Sequence, residues 1–239
     1  MIELNNVDFL KASIDAISSF IPEGNFRFND KGIHFRAVDP SQVVLVDYFI
    51  DKKVFDSYSI EPAFVGVNLV ELSKIVSRSL QGDSLKLGLT DSELKINLKG
   101  ELDRAFKLPL IDVSDDDLKI PEIDYDVKVE INARVLKEAL KDASLFSSSV
   151  MLLIKKDKFY LEAKGSAGVL NASSYSKAVK VKSTQDVVSK YSLGFLQNIV
   201  KQANPDSDVV LELKSDSPMK VTYLIGSSEI RFYLAHMLL

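Results

Sequence analysis

The chain has 239 residues, a formal net charge of −4, 46% hydrophobic and 27% charged residues, and no cysteine. That length suits one large domain or two of about 100–120 residues, each able to bury a core. The missing cysteine excludes disulfides, thiolate metal sites and a cysteine nucleophile, and the acidic balance is unlike that of a conventional nucleic-acid binder.

No apolar run approaches the ~20 residues of a membrane helix. The start, Met1-Ile-Glu-Leu-Asn-Asn6, has no basic region followed by an apolar stretch, so a cytoplasmic chain without a membrane partner is expected. A short strand at residues 2–4 precedes a helix from Phe9 to about Phe20, capped by Asp8, with Leu10, Ile14, Ile17 and Ile21 on one face. Phe26–Phe28 and Ile33–Ala37 form a hairpin about Asn29-Asp30-Lys31-Gly32. Val43–Asp51 and Phe64–Val67 are strands. Asn68 caps a helix running to about Ser79, with Leu69, Leu72 and Val76 inward. Leu85–Leu89 and Leu94–Leu98 pair across Thr90-Asp91-Ser92, and Ala105–Ile111 follows.

The second half repeats this order. Val127–Ile131 is a strand and Asn132 a cap, and Val135, Leu136, Ala139, Leu140 and Ala143 form one helix face. Met151–Lys155 and Phe159–Ala163 flank the Lys156-Asp157-Lys158 turn, with strands near Val169–Ser173 and Ala178–Val181. Ser192 caps a helix with Leu193, Leu196 and Val200 inward. Val209–Leu213 pairs with Lys220–Ile225, and Ile230–Leu234 closes the chain. The halves register: Leu69, Leu72 and Val76 fall on Leu193, Leu196 and Val200 at a shift of 124, and Phe9-Leu10-Lys11 on Val135-Leu136-Lys137 at 126. The expected fold class is α+β: two repeated β-α-β domains, 1–111 and 126–239, joined by a connector at 112–125. That connector carries the acidic run Asp115–Asp117, then Leu118, Ile120 and Pro121. These three groups suit either a docking rim or a tie between loop and sheet.

Catalytic chemistry is missing. His34 and His236 lack His or Cys neighbours at metal-ligand spacing and read as solvated or core-edge side chains. There is no phosphate-binding glycine loop, nucleophile elbow or zinc-protease motif, and Asp115–Asp117 lacks calcium-loop spacing. No catalytic residue, metal or cofactor is expected. The basic residues are more suggestive. Arg134, Lys137 and Lys141 stand at i, i+3 and i+7, Lys74 and Arg78 at i and i+4, and Lys11 and Lys201 mark the other helices, while the acids are expected in loops. Taken singly, such a stripe is a solvated face. If the helices share one space, they present a positive surface to phosphates without reading bases.

Four segments in order carry a family resemblance: Gly32-Ile-His-Phe-Arg-Ala-Val-Asp-Pro-Ser-Gln-Val-Val-Leu-Val46, Gly66-Val-Asn-Leu-Val-Glu-Leu-Ser-Lys-Ile75, Leu118-Lys-Ile-Pro-Glu-Ile-Asp-Tyr125 and Ile230-Arg-Phe-Tyr-Leu-Ala235. With them the chain resembles, over nearly its whole length, the sliding DNA clamps of the proliferating cell nuclear antigen (PCNA) type, and its compactness is similar to that of archaeal members. The resemblance implies the DNA-clamp fold, with antiparallel sheets outside and helices lining a ring of three subunits, a homotrimer, around double-stranded DNA. It implies a nucleoid-associated processivity factor (nuclear in a eukaryote), a clamp loader, and partners such as DNA polymerase, flap endonuclease and DNA ligase that dock through PIP-box peptides.

By that resemblance Lys11, Lys74, Arg78, Arg134, Lys137, Lys141 and Lys201 face the duplex. The partner-peptide pocket takes Val38, Gln42, Val43, Leu45, Leu118, Ile120, Pro121, Pro218, Tyr233, Leu234 and Ala235. The subunit interface pairs Arg104, Phe106, Lys107, Leu108 and Leu110 with Val169, Leu170, Asn171, Ala172 and Ser173 of the next subunit. Gln42 stands where a His is frequent, His236 where a Pro is frequent, and the tail Met237-Leu-Leu239 is apolar where a charged end is common. These departures bear on the shape of the pocket. A subunit of a heterotrimeric or repair-specialised clamp is the alternative, and an enzyme with an unrecognised site is the second.

Overall fold

The structure is a computed structural model and describes residues 1–114, 118–174 and 178–238. The acidic run Asp115–Asp117 and the terminal Leu239 lie outside the described residues. Two compact units are present. The first comprises Met1–Pro40, Val46–Lys119 and Ile225–Ile230; the second comprises Ser41–Leu45, Ile120–Leu224 and Arg231–Leu239. The expected connector 112–125 therefore divides between the units after Lys119, and two short segments group with the opposite half of the sequence.

In the first unit, β1 (Ile2–Leu4) leads into α1 (Val7–Ser18), then β2 (Glu23–Asn29), β3 (Gly32–Val38) and β4 (Val44–Asp51). After β5 (Ser57–Tyr58) come β6 (Ala63–Asn68), α2 (Leu69–Val76), β7 (Ser84–Leu89), β8 (Glu93–Lys99) and β9 (Arg104–Pro109). Strand neighbours run β5-β1-β7-β8-β9 and β4-β3-β2-β6. Helix α1 starts earlier than expected. Asn6, not Asp8, caps it, its Oδ1 accepting from Phe9 N–H at 3.3 Å. Asp8 falls in the first turn, where the partial positive charge of the helix end favours a carboxylate. Asn68 caps α2 as expected, accepting from Glu71 N–H at 2.9 Å, but the helix ends at Val76 rather than near Ser79.

The second unit holds β10 (Val127–Asn132), α3 (Ala133–Ala143), β11 (Ser149–Lys155), β12 (Lys158–Gly165), β13 (Gly168–Ser173) and β14 (Val179–Ser183). Then follow β15 (Val187–Ser192), α4 (Leu193–Val200), β16 (Asp208–Leu213), β17 (Met219–Ile225) and β18 (Ser228–Leu234). Its neighbours run β14-β10-β16-β17-β18 and β13-β12-β11-β15. Element by element this is the order of the first unit, which bears out the repeat. Helices α2 and α4 are each 8 residues long and start at Leu69 and Leu193, the expected shift. Ser41–Leu45, which includes the start of β4, groups here with the chain end, and Ala235 N–H donates to Val43 O at 2.9 Å.

Packing explains the elements. Each unit has an apolar core where alternate strand residues meet one helix face. Leu85, Ile96 and Leu98 are buried in the first unit, with counterparts Val209, Val221 and Tyr223 in the second. On α3 the inward residues are Ala133, Leu136, Leu140 and Ala143, at 3.6-residue spacing. Val135, expected inward, is 38% exposed, because it sits about 100° around the helix from Leu136. The Lys156-Asp157 turn has φ values of 49° and 58°, the left-handed pair of a two-residue hairpin. Strand β15 escaped the sequence because its inward face is Val187, Ser189 and Tyr191. The buried Ser189 hydroxyl donates to Lys214 O at 3.1 Å, so a polar residue interrupts the apolar alternation without an unpaired group.

Candidate nucleic-acid and partner interfaces

Within the first unit α1 packs on α2, where Ser73 Oγ donates to Asp15 Oδ1 at 2.8 Å. Within the second, α3 packs on α4, where Gln197 Nε2 donates to Leu140 O at 3.1 Å. The buried helix faces leave Lys74, Arg78, Arg134, Lys141 and Lys201 exposed and Lys11 and Lys137 half-buried. These seven cations are not equivalent. Lys74 pairs with Glu71 and Lys141 with Glu138, each at 2.7 Å and one helical turn apart. Lys137 does not point outward: its Nζ donates to Lys201 O at 3.0 Å and Ala203 O at 2.6 Å, beyond the last turn of α4. Burial, and then the neighbouring Lys141, push its ammonium below the ordinary lysine range. Among the described residues, the side chains of Lys11, Arg78, Arg134 and Lys201 form no ion pair.

The acids do not gather only in loops. Asp8, Asp15, Glu71, Glu138 and Asp142 lie on the same helices. Within the helices they match Lys11, Lys74, Arg134, Lys137 and Lys141 in number, so the positive excess comes from Arg78 and Lys201, each just past a helix end, and is small and diffuse. A surface of that kind attracts phosphates and holds no sequence.

Both strands expected at the subunit joint are edges. β9 ends its row and pairs with β8, with Phe106 opposite Ile96. β13 ends its row and pairs with β12, with Ala172 opposite Leu161. On β9 the half-buried Arg104 and Phe106 alternate with exposed Ala105 and Lys107, and Leu108 is buried in the core at 7% exposure. Arg104 is pinned: Nη2 pairs with the buried Asp83, and Nη1 donates to Arg78 O at 2.6 Å. Lys107 lies 3.7 Å from Glu93, and Leu110 N–H donates to Ser92 O at 2.9 Å. On β13, Val169, Asn171 and Ser173 are exposed, and Leu170 and Ala172 half-buried. An unpaired strand edge offers backbone donors and acceptors to another strand.

Of the residues expected at the peptide pocket, Val38, Val43, Leu118, Ile120, Pro121, Pro218 and Ala235 are half-buried, and Gln42 is exposed with a left-handed φ of 59°. Leu45 and Tyr233 are buried, and Leu234 is wholly buried. His236 is half-buried. Met237 beyond it is tied down, its N–H donating to Lys190 O at 2.8 Å. His34 is half-buried on β3. Its Nε2 faces Asp47 Oδ1 at 2.8 Å, and Arg36 Nε donates to the same oxygen at 2.9 Å. Burial pushes the Asp47 carboxyl up, but the hydrogen bonds from His34 and Arg36 outweigh it and hold the group below its ordinary range. Arg36 also reaches the connector, where Nη1 donates to Leu118 O at 3.2 Å. No sequence signal marks Arg36, Asp47 or Asn25, because nothing in a strand's alternation tells where a polar side chain ends.

An open groove of about 1270 Å³ in the first unit is lined by residues 58–66, 88–91 and 110–112 together with Met1, Asp30 and Lys52, and holds only Leu110 of the expected site residues. Among the described residues no group of three or more His, Asp and Glu is placed to hold a metal, and no helix is long and apolar enough to cross a membrane.

Comparison with known proteins agrees with this fold. The family model of the proliferating cell nuclear antigen N-terminal domain matches residues 1–129, and that of the C-terminal domain matches residues 119–237. The chain is 34% identical over 239 residues to the DNA polymerase sliding clamp of Methanococcus vannielii, covering 97% of this chain and 96% of the relative. It is 32% identical over 228 residues to DNA polymerase sliding clamp 1 of Thermococcus kodakarensis, covering 93% and 92%. Among solved structures, PCNA from Thermococcus kodakaraensis superposes with a TM-score of 0.93 at 26% identity, covering 99% of each chain. The Entamoeba histolytica protein gives 0.91 at 23% identity over 99% and 98%, a likeness of fold.

Proposed function

Because this chain belongs to the proliferating cell nuclear antigen family, we propose that it is a DNA sliding clamp, a non-catalytic processivity factor that encircles duplex DNA as a trimeric ring and tethers DNA polymerase. The observation that carries the ring is the mismatch between the repeat and its edges. In the second unit the start of β4 groups with the chain end that contains β18. The repeat counterparts of β18 and β4 are β9 and β13, and these two are edges. Pairing β9 of one subunit with β13 of the next reuses the same contact, and a head-to-tail contact that closes makes a ring.

Inside such a ring the helices meet the duplex. Arg134, Arg78, Lys11 and Lys201 supply uncommitted charge, and Lys74 and Lys141 charge already shared with carboxylates. Retention is topological, so a small positive excess suffices and lets the clamp slide. Leu118, Ile120 and Pro121, with Val43, Tyr233 and Ala235, form the docking surface for PIP-box peptides of polymerase, flap endonuclease, ligase and similar partners, and a clamp loader opens the ring. The mass of the purified chain tests self-assembly. Three times 26.6 kDa is expected, and Val169→Asp on the β13 edge should reduce it to a single chain. A wild-type chain that stays single would overturn the homotrimer and favour a heterotrimeric clamp. Release in high salt from nicked circular duplex as fast as from linear duplex would overturn encirclement.

A further inference from the structure

We propose that Arg36 and Asn25 are positioning residues that hold the connector's backbone on both sides of Asp115–Asp117 and so preset the partner-docking loop. The inference rests on the reading of Leu118, Ile120 and Pro121 as a docking rim. The connector starts against β6: Ile111 N–H donates to Gly66 O at 3.0 Å. A Cβ at Gly66 would collide with Ile111 O and lie 2.9 Å from Val113 Cγ2, so this approach needs glycine. Next, Asn25, only 7% exposed, donates from Nδ2 to Val113 O at 3.1 Å and to Ser114 O at 3.4 Å. Beyond the acidic run, Arg36 donates from Nη1 to Leu118 O at 3.2 Å.

Arg36 is suited to this work because it is held at two points. Its Nε is fixed on Asp47 Oδ1 at 2.9 Å, and Asp47 is itself 7% exposed and faces His34 at 2.8 Å. The guanidinium is planar, so fixing Nε fixes the direction in which Nη1 points. Both tethers end on main-chain carbonyls. They therefore set the path of the connector whatever its side chains are. The path needs setting, since Leu118–Asp124 forms no helix or strand. A loop ordered beforehand does not lose that freedom when a peptide binds.

Backbone amide NMR relaxation and calorimetry with a synthetic PIP-box peptide test the proposal. In Arg36→Lys a cation stays beside Asp47 while the fork that reaches Leu118 is lost, so the fold is kept. Asn25→Ala removes both donors to Val113 O and Ser114 O without burying a charge. Arg36→Lys should lower the order parameters over Leu118–Ile123 and Asn25→Ala those of Val113 and Ser114, both should leave β3 at wild-type order, and each should weaken the peptide by roughly 5- to 20-fold, the loss expected when a preordered loop must be ordered on binding. Unchanged connector order in both variants would refute the tethers. Lower order with unchanged affinity would refute their role in docking. Failure of the wild-type chain to bind the peptide would refute the docking surface itself, while the relaxation measurement still decides the tethers.

Discussion

Lys137 and Arg134 sit one turn apart on α3, and the structure gives them opposite jobs. Replacing Lys137 with Met keeps the apolar stem and removes three donors. Lys201 O and Ala203 O then lose their partner just past the end of α4, where carbonyls lack helical donors and a cation is favourable. A hydrogen bond to a charged group contributes about 1.5–3 kcal/mol. Lys137 is half-buried, so water replaces part of this, and a total loss of about 1–2 kcal/mol is expected. For a chain of this size that is a fall in melting temperature of roughly 2–8 °C. Arg134→Ala, at an exposed site without an ion pair among the described residues, should change stability by less than about 0.5 kcal/mol. Binding to a short duplex over a range of salt separates the two further. Removing one cation that neutralises a phosphate flattens the log–log slope by about 0.9, so Arg134→Ala should flatten it and Lys137→Met should leave it nearly unchanged. Equal slope changes, with no loss of stability in Lys137→Met, would refute the assignment of Lys137 to the helix end.

Gly66 and Gly88 provide a paired test of backbone approach. Gly66→Ala should lose about 1–3 kcal/mol, because the new Cβ meets the Ile111 carbonyl, whereas Gly88→Ala finds its nearest atom at 3.9 Å and should be neutral or slightly stabilising; equal denaturation midpoints for the two variants would argue against the tight β6–Ile111 contact. The Asp47 carboxyl, held below its ordinary range, stabilises the folded chain above that range and loses this as pH falls through it. The stability advantage of wild type over Asp47→Asn should therefore be largest at neutral pH and shrink below about pH 4, and a difference independent of pH would show that the hydrogen bonds from His34 and Arg36 are not charge-assisted.

Much of the fold was legible because its signals are local. Leu69, Leu72 and Val76 mark a helix face wherever they stand, Asn68 caps it through its own backbone neighbour Glu71, and the same spacing at Leu193, Leu196 and Val200 declares the repeat. Where a local signal was shared by adjacent residues, the choice between them was not legible. Asn6 and Asp8 are both good caps, and only the path of the chain after β1 selects Asn6. β15 was lost because Ser189 is buried against Lys214 O, a partner 25 residues away.

The order of the helices and of most strands, the two α+β units, the absence of thiol chemistry and the presence of helix cations were determined by the sequence alone, since periodicity and composition act over a few residues. Which cations are free, which strand edges are unpaired and where Arg36 ends were decided only in three dimensions. A long polar side chain can reach in many directions from one position. Its partner, whether the Glu71 carboxylate one turn away or the Leu118 carbonyl far along the chain, is chosen by which backbone the packed sheets bring within hydrogen-bond range.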